Sequence, residues 1–136
     1  MRKASVLIGI CMLAAVAFAF AAQAPTDLSP VMKDVGATAG KFRMDLMAGN
    51  AADVAADAEK LQGDFRQAMG FFKAMKAQDA VDAAKANVDA AGEVIKAAKA
   101  NDLDAAKAPA KTINGSCKAC HDVHREALPD KTYKFK

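Results

Sequence analysis

A chain of 136 residues, 53% hydrophobic and 26% charged, has room for one domain with a core large enough to fold without disulfides. That balance excludes a disordered tail and a multi-span membrane protein, and a composition one quarter Ala with no Trp, one Tyr and 4 Pro favours helices over a sandwich or barrel. The formal charge of +3 is spread over interleaved Lys and Asp, without the clustered basic face or aromatic platform that nucleic-acid binding requires, so no nucleic-acid partner is expected.

Arg2 and Lys3 precede an uncharged apolar run from Val6 through Ala22, and polarity changes abruptly at Gln23. This is the layout of a secretory signal peptide. Ala19 and Ala21 stand at the two small-residue positions of a cleavage site, which makes 1–21 the peptide and Ala22 the mature N-terminus; a cut after Ala24 would place Pro25 next to the bond. An uncleaved membrane anchor is the competing reading, but the run falls short of the roughly 20 apolar residues that a spanning helix needs, so no stable membrane insertion is expected after cleavage. Cys11 leaves with the peptide, because Ile10 is too large for a lipoprotein cleavage site. Loss of Arg2 and Lys3 takes the 19 basic residues to 17 against 16 acidic, a net charge of +1.

Beyond Pro25, apolar positions recur at steps of three and four, the spacing of one helical face. The first predicted helix carries Leu28, Val31, Val35, Thr38, Phe42 and Leu46, with Thr26 or Ser29 as its N-terminal cap and Gly49-Asn50 as its stop. The second carries Val54, Ala58, Leu61, Phe65, Ala68, Phe72 and Met75. The third carries a narrower stripe, Val81, Ala84, Val88, Ala91, Ile95 and Ala98, whose small residues let a neighbour approach closely, and Asn101-Asp102 punctuates its end. The fourth carries Leu103, Ala106, Ala110, Ile113, Cys117, Cys120 and His124, ending near Leu128-Pro129, with a kink expected between Ala105 and Pro109. Four striped helices on short connections predict an all-α, antiparallel up-down four-helix bundle spanning 22–136.

Chemistry concentrates in the fourth helix. Cys117-Lys118-Ala119-Cys120-His121 is a CxxCH motif, the attachment signature of c-type haem: two thiols one turn apart add to the vinyl groups on one porphyrin edge, and the next residue lies beneath the iron. At 100° per residue, Cys117, Cys120, His121 and His124 fall within about 100° of arc, so thiols and imidazole share the core-facing stripe. His124, one turn beyond His121, cannot reach the opposite face of the same haem and is read as a proximal-pocket contact. Three alternatives compete. A structural zinc site would need ligands from a second segment rather than four within eight residues; a dithiol redox motif belongs at a strand-to-helix junction; a plain disulfide leaves the adjacent histidine to coincidence.

The chain resembles the class II c-type cytochromes, the cytochrome c′ family with its low-spin relatives, over nearly all of its mature length. The resemblance rests on the haem motif near the C-terminus, on Ser116 through Arg125, and on Val31-Met32-Lys33-Asp34-Val35-Gly36 in the first helix. It implies one haem c on the C-terminal helix, held by Cys117 and Cys120, with His121 as proximal ligand and Met32 as distal ligand, and Arg125 as the basic residue beside the proximal histidine. Met44, Met47, Met69 and Met75 do not occupy the family position. Two departures stand out: Leu28 replaces an arginine that meets a haem propionate, and His124 replaces an aromatic residue. The tail from Asp130 to Lys136 extends past the end of shorter members and reads equally as a cover for the haem edge, a surface for an acidic partner, or a frayed end.

The expected function is that of a bacterial periplasmic electron carrier rather than an enzyme, serving periplasmic redox partner proteins, with six-coordinate low-spin iron between His121 and Met32. A five-coordinate, cytochrome c′-like protein that binds a small gas such as nitric oxide is the alternative, with Met32 merely lining the distal pocket. A non-haem dithiol or metal-binding bundle is the third reading. The resemblance also leaves a homodimer through helix faces open.

Overall fold

The computed structural model describes residues 25–136, so the predicted signal peptide and its cleavage site lie outside the described residues. Four helices follow in order: α1 (Ser29–Ala48), α2 (Ala51–Ala74), α3 (Gln78–Lys99) and α4 (Leu103–His124). Turns of two or three residues join them, which makes chain neighbours pack on one another: α1 on α2, α2 on α3 and α3 on α4. The fourth seam, between α1 and α4, is the sparsest in close backbone contact. No helix among the described residues is long and apolar enough to cross a membrane.

Local signals account for most helix ends. Gly49 closes α1 in the left-handed conformation (φ 76°), where its amide and that of Asn50 reach back to carbonyls of the last turn. Asn101 takes the same conformation (φ 56°) after α3, and the Asp102 carboxylate accepts from the Ala105 amide at 3.0 Å to cap α4. The start of α1 differs from expectation. Leu28 occupies the cap position, while the Asp27 carboxylate accepts from the Ser29 amide at 2.9 Å and Pro30 takes the first turn, where its missing N–H costs nothing. Helix α4 continues through Pro109, with Ala106, Ala110 and Ile113 buried on either side of it.

The core forms two clusters. One joins Val35, Ala39 and Phe42 of α1 to Val54, Leu61 and Phe65 of α2, Ala91 and Val94 of α3, and Ala106, Ala110 and Ile113 of α4. The other joins Val31 to Ala68, Phe72, Ala80, Val81 and Ala84, and takes no buried residue from α4. Two acidic residues of α2 are buried and held by lysines: Asp57 by Lys41 of α1 at 3.1 Å and Asp64 by Lys60 of its own helix at 3.2 Å.

The C-terminus corrects the sequence reading in two places. Helix α4 stops at His124 rather than near Leu128, and Arg125–Ala127 (β1) pairs antiparallel with Tyr133–Phe135 (β2), Arg125 opposite Phe135. The tail is therefore a hairpin packed on the bundle. Phe135 meets Phe71 edge-on with centroids 5.5 Å apart and stacks on the His124 ring at 5.0 Å, burial that a frayed end would forgo.

Candidate functional site

The inward stripe of α4 divides at Ile113. Above it Ala106, Ala110 and Ile113 are buried among the other helices; below it Cys117, Cys120 and His121 continue the same face yet remain half-buried. Among the described residues, no neighbour fills the space they face. A cleft of about 270 Å³ opens there, lined by Cys117, Cys120 and His121 of α4 and by Met32, Val35 and Ala39 of α1, with Phe65, Phe72 and Ala84 behind them. It lies where the two core clusters meet and is walled by residues of both.

The helical spacing explains why these side chains converge. Cys117 and Cys120 are three apart and Cys120 and His121 adjacent, so one helical turn delivers all three to one side. On α1, Met32, Val35, Gly36 and Ala39 recur at steps of one, three and four, which carries Met32 and its neighbours along the facing wall. Met32 is half-buried, whereas Met44, Met47 and Met75 are exposed, Met47 by 88%.

Electrostatics around the motif follow from partial burial. Both thiols are free, and Cys117 Sγ lies 3.7 Å from the Ile113 carbonyl, to which it donates. Burial pushes the Cys120 thiol pKa up, with Asp79 and Cys117 adding to the shift. Burial also holds the His121 imidazole below its ordinary 6.5, the Arg125 charge lowers it further, and Asp122 opposes both. His121 is thereby biased towards the neutral base that a metal requires.

Arg125 lies beside His121, its guanidinium nitrogen 3.3 Å from Nδ1. His124 does not line the cleft. Its Nε2 is 2.8 Å from the Asp79 carboxylate and its ring faces Phe135, in a shallower depression that also borders Ala80, Ala83 and Cys120. Of the six residues singled out in the sequence, the cleft gathers Cys117, Cys120, His121 and Met32, Arg125 touches its histidine, and His124 anchors the hairpin.

Four polar residues of the cleft escaped sequence reasoning. The Ser116 hydroxyl donates to Asn87 Oδ1 at 2.9 Å, and Asn87 in turn donates to the Ala83 carbonyl at 3.2 Å. Asn114 Oδ1 is buried with no hydrogen-bond partner, and Arg43 sits at the rim with no ion pair among the described residues. The readable signal was Asn87, a buried amide between Ala84 and Ala91 on an otherwise apolar face.

These residues fit a covalently held haem. A buried acceptor without a partner is uncommon in a finished interior and marks a wall that expects another group. The donor set of two thiols, an imidazole and a thioether matches haem c chemistry, and the apolar lining suits a porphyrin face. No family model, curated protein or solved structure matches the chain.

Proposed function

We propose that this chain is an exported bacterial c-type cytochrome of the periplasm that carries single electrons on one covalently bound haem. The observation that supports it best is convergence: the CxxCH side chains of α4 and Met32 of α1 line one cleft, at the seam where the bundle lacks core filling. Cys117 and Cys120 would hold the haem as thioethers, with His121 as the proximal ligand and Met32 as the distal one. When bound, the haem would supply a one-electron iron couple, and ligation by the Met32 thioether would raise its reduction potential.

The protein's own contribution is enclosure and orientation. Val35, Ala39, Phe65, Phe72 and Ala84 present apolar walls that exclude water, a lever on potential equal in kind to ligand identity. The fixed helix of α4 keeps the two thiols one turn apart, and partial burial lowers the His121 pKa, which favours the neutral imidazole. Electron transfer on this reading needs no substrate-turnover site, so the chain acts as a carrier for periplasmic redox partner proteins rather than as an enzyme.

The test is the visible spectrum, oxidised and reduced, of protein exported through a haem-maturing host, with Met32→Ala beside it. Sharp low-spin reduced bands that Met32→Ala converts to a high-spin, carbon-monoxide-binding form are expected. A high-spin parent spectrum unchanged by the substitution would replace this reading with the five-coordinate, gas-binding one.

A further inference from the structure

The segment after α4 is organised around Arg125. In the hairpin register Arg125 faces Phe135, and residues two apart share a strand face, so Tyr133 is its diagonal neighbour. The contact is made: Arg125 Cζ stands 3.3 Å from the centroid of the Tyr133 ring. On its other side the same guanidinium reaches Nδ1 of His121 at 3.3 Å.

The hairpin that carries Tyr133 is tied to the bundle at its far end. Phe135 packs against Phe71, Phe72 and His124, the His124 ring holds Asp79 of α3, and the Lys136 amide donates to the His124 carbonyl at 3.0 Å. Tyr133 itself is 48% exposed and has no place in the core. Among the described residues, the one specific contact of its ring is with Arg125.

The chemistry of that arrangement is unusual for a metal-ligating histidine. Such a ligand ordinarily donates its second ring N–H to a carboxylate or carbonyl, which makes the imidazole more electron-rich and favours the oxidised metal. Here the neighbour is a guanidinium, which has no lone pair to accept with and brings a positive charge instead. Both effects favour the less positive, reduced iron. The hydrogen bond to Nδ1 needs that nitrogen unprotonated, whereas an imidazole ligating through Nε2 carries its proton on Nδ1. The Tyr133 ring face is indifferent to the tautomer, so it is the contact that keeps the guanidinium in place once His121 is a ligand.

We propose that Tyr133 is a positioning residue which, through the C-terminal hairpin, holds Arg125 against His121 and thereby keeps the reduction potential of the haem high. This rests on the haem reading above. It gives the tail, whose role the sequence left open, a function at the site.

The experiment measures midpoint potentials by spectroelectrochemistry on haem-loaded full-length protein: the parent, Tyr133→Leu, Tyr133→Phe, Arg125→Gln, and Arg125→Gln with Tyr133→Leu. Tyr133→Leu is expected to lower the equilibrium constant for reduction about threefold, a fall of about 30 mV at 59 mV per tenfold for one electron. Tyr133→Phe, which keeps the ring face, retains the parent potential. Arg125→Gln falls at least as far as Tyr133→Leu, and adding Tyr133→Leu to it moves the potential no further, because both act through one contact. Circular dichroism matching the parent shows that each variant is folded.

An unchanged or raised potential in loaded Tyr133→Leu would overturn the positioning role and leave the cytochrome reading standing. So would a fall of equal size in the Arg125→Gln background. A parent that carries no covalent haem would overturn the haem reading and this inference with it.

Discussion

Gly36 offers a perturbation whose two consequences separate the helix from the cleft. It lies inside α1, one turn from Met32, at an ordinary helical φ, and a Cβ built on it meets no heavy atom within 4 Å because the cleft lies alongside. Gly36→Ala therefore gains helix propensity without a clash, about 1 kcal/mol, or about 4 °C in Tm for a chain of this size. Gly63, inside α2, is equally open around its Cβ but does not line the cleft, so Gly63→Ala gives the same stabilisation and serves as the control. A larger side chain breaks the symmetry. Gly36→Phe fills part of the 270 Å³ between α1 and α4, while Gly63→Phe leaves it clear. Thermal melts of the unloaded protein and covalent haem content after export are the assays. The expected result is comparable gain for the two alanine variants and haem loss confined to Gly36→Phe. Full haem loading of Gly36→Phe would refute the placement of the haem in this cleft.

Other perturbations test the scaffold. Leu61 is wholly buried, and Leu61→Ala should cost about 2–5 kcal/mol of unfolding free energy in urea titrations. Burial holds the Asp57 carboxyl above its ordinary 3.8, so the folded state binds its proton more tightly than the unfolded state; that stability is present below 3.8 and is lost as pH rises from there through the raised folded value, and the Lys41 ammonium offsets the loss. Lys41→Met removes the offset, and its destabilisation relative to the parent should be larger at pH 7 than at pH 4 in paired denaturant titrations. Phe135→Ala removes the aromatic anchor of the hairpin. Hydrogen exchange at the Leu128 and Lys136 amides, which bond to Thr132 and His124, should then quicken while the Val94 amide in the core keeps its protection.

The sequence carried the architecture because each helix announced itself twice, by a stripe and by a stop. Six of the seven α2 positions read from spacing are buried, Met75 being the exception in the turn after the helix, and Gly49 and Asn101 both adopt the left-handed turn that their residue types invite. On α3 four of the six stripe positions, Val81, Ala84, Ala91 and Ala98, are buried, but Asn87 and Val94 are buried where Val88 and Ile95 are half-buried. A helix of Ala interleaved with single large residues supports two faces almost equally, and packing on α2 and α4 decides between them. The hairpin was hidden for a different reason. Pro129-Asp130 marks a turn, but two three-residue strands hold too few positions for alternation to show, and what secures them is the long-range contact of Phe135 with Phe71 and Phe72.

At the site, residue identity was legible and space was not. Cys117, Cys120 and His121 stand out as a CxxCH run, and the arc they share follows from helix geometry alone. That the stripe of α4 runs out of partners below Ile113 depends on how far α1 stands from α4, a property of the packed bundle. The polar wall of Asn87, Asn114 and Ser116 belongs to the same class, since each residue becomes a site residue only through the cleft it borders.

Covalent attachment of haem through Cys117 and Cys120 is what the proposed function most depends on. Its most direct measurement is haem peroxidase staining and pyridine haemochrome absorbance of the denatured protein after export through a haem-maturing host, with Cys117→Ser, Cys120→Ser and the double variant alongside. The parent is expected to keep its haem through denaturation and acidic organic extraction, each single variant to lose most of it, and the double variant to be colourless. A parent that emerges colourless, or whose colour is extracted by the solvent, would contradict covalent attachment.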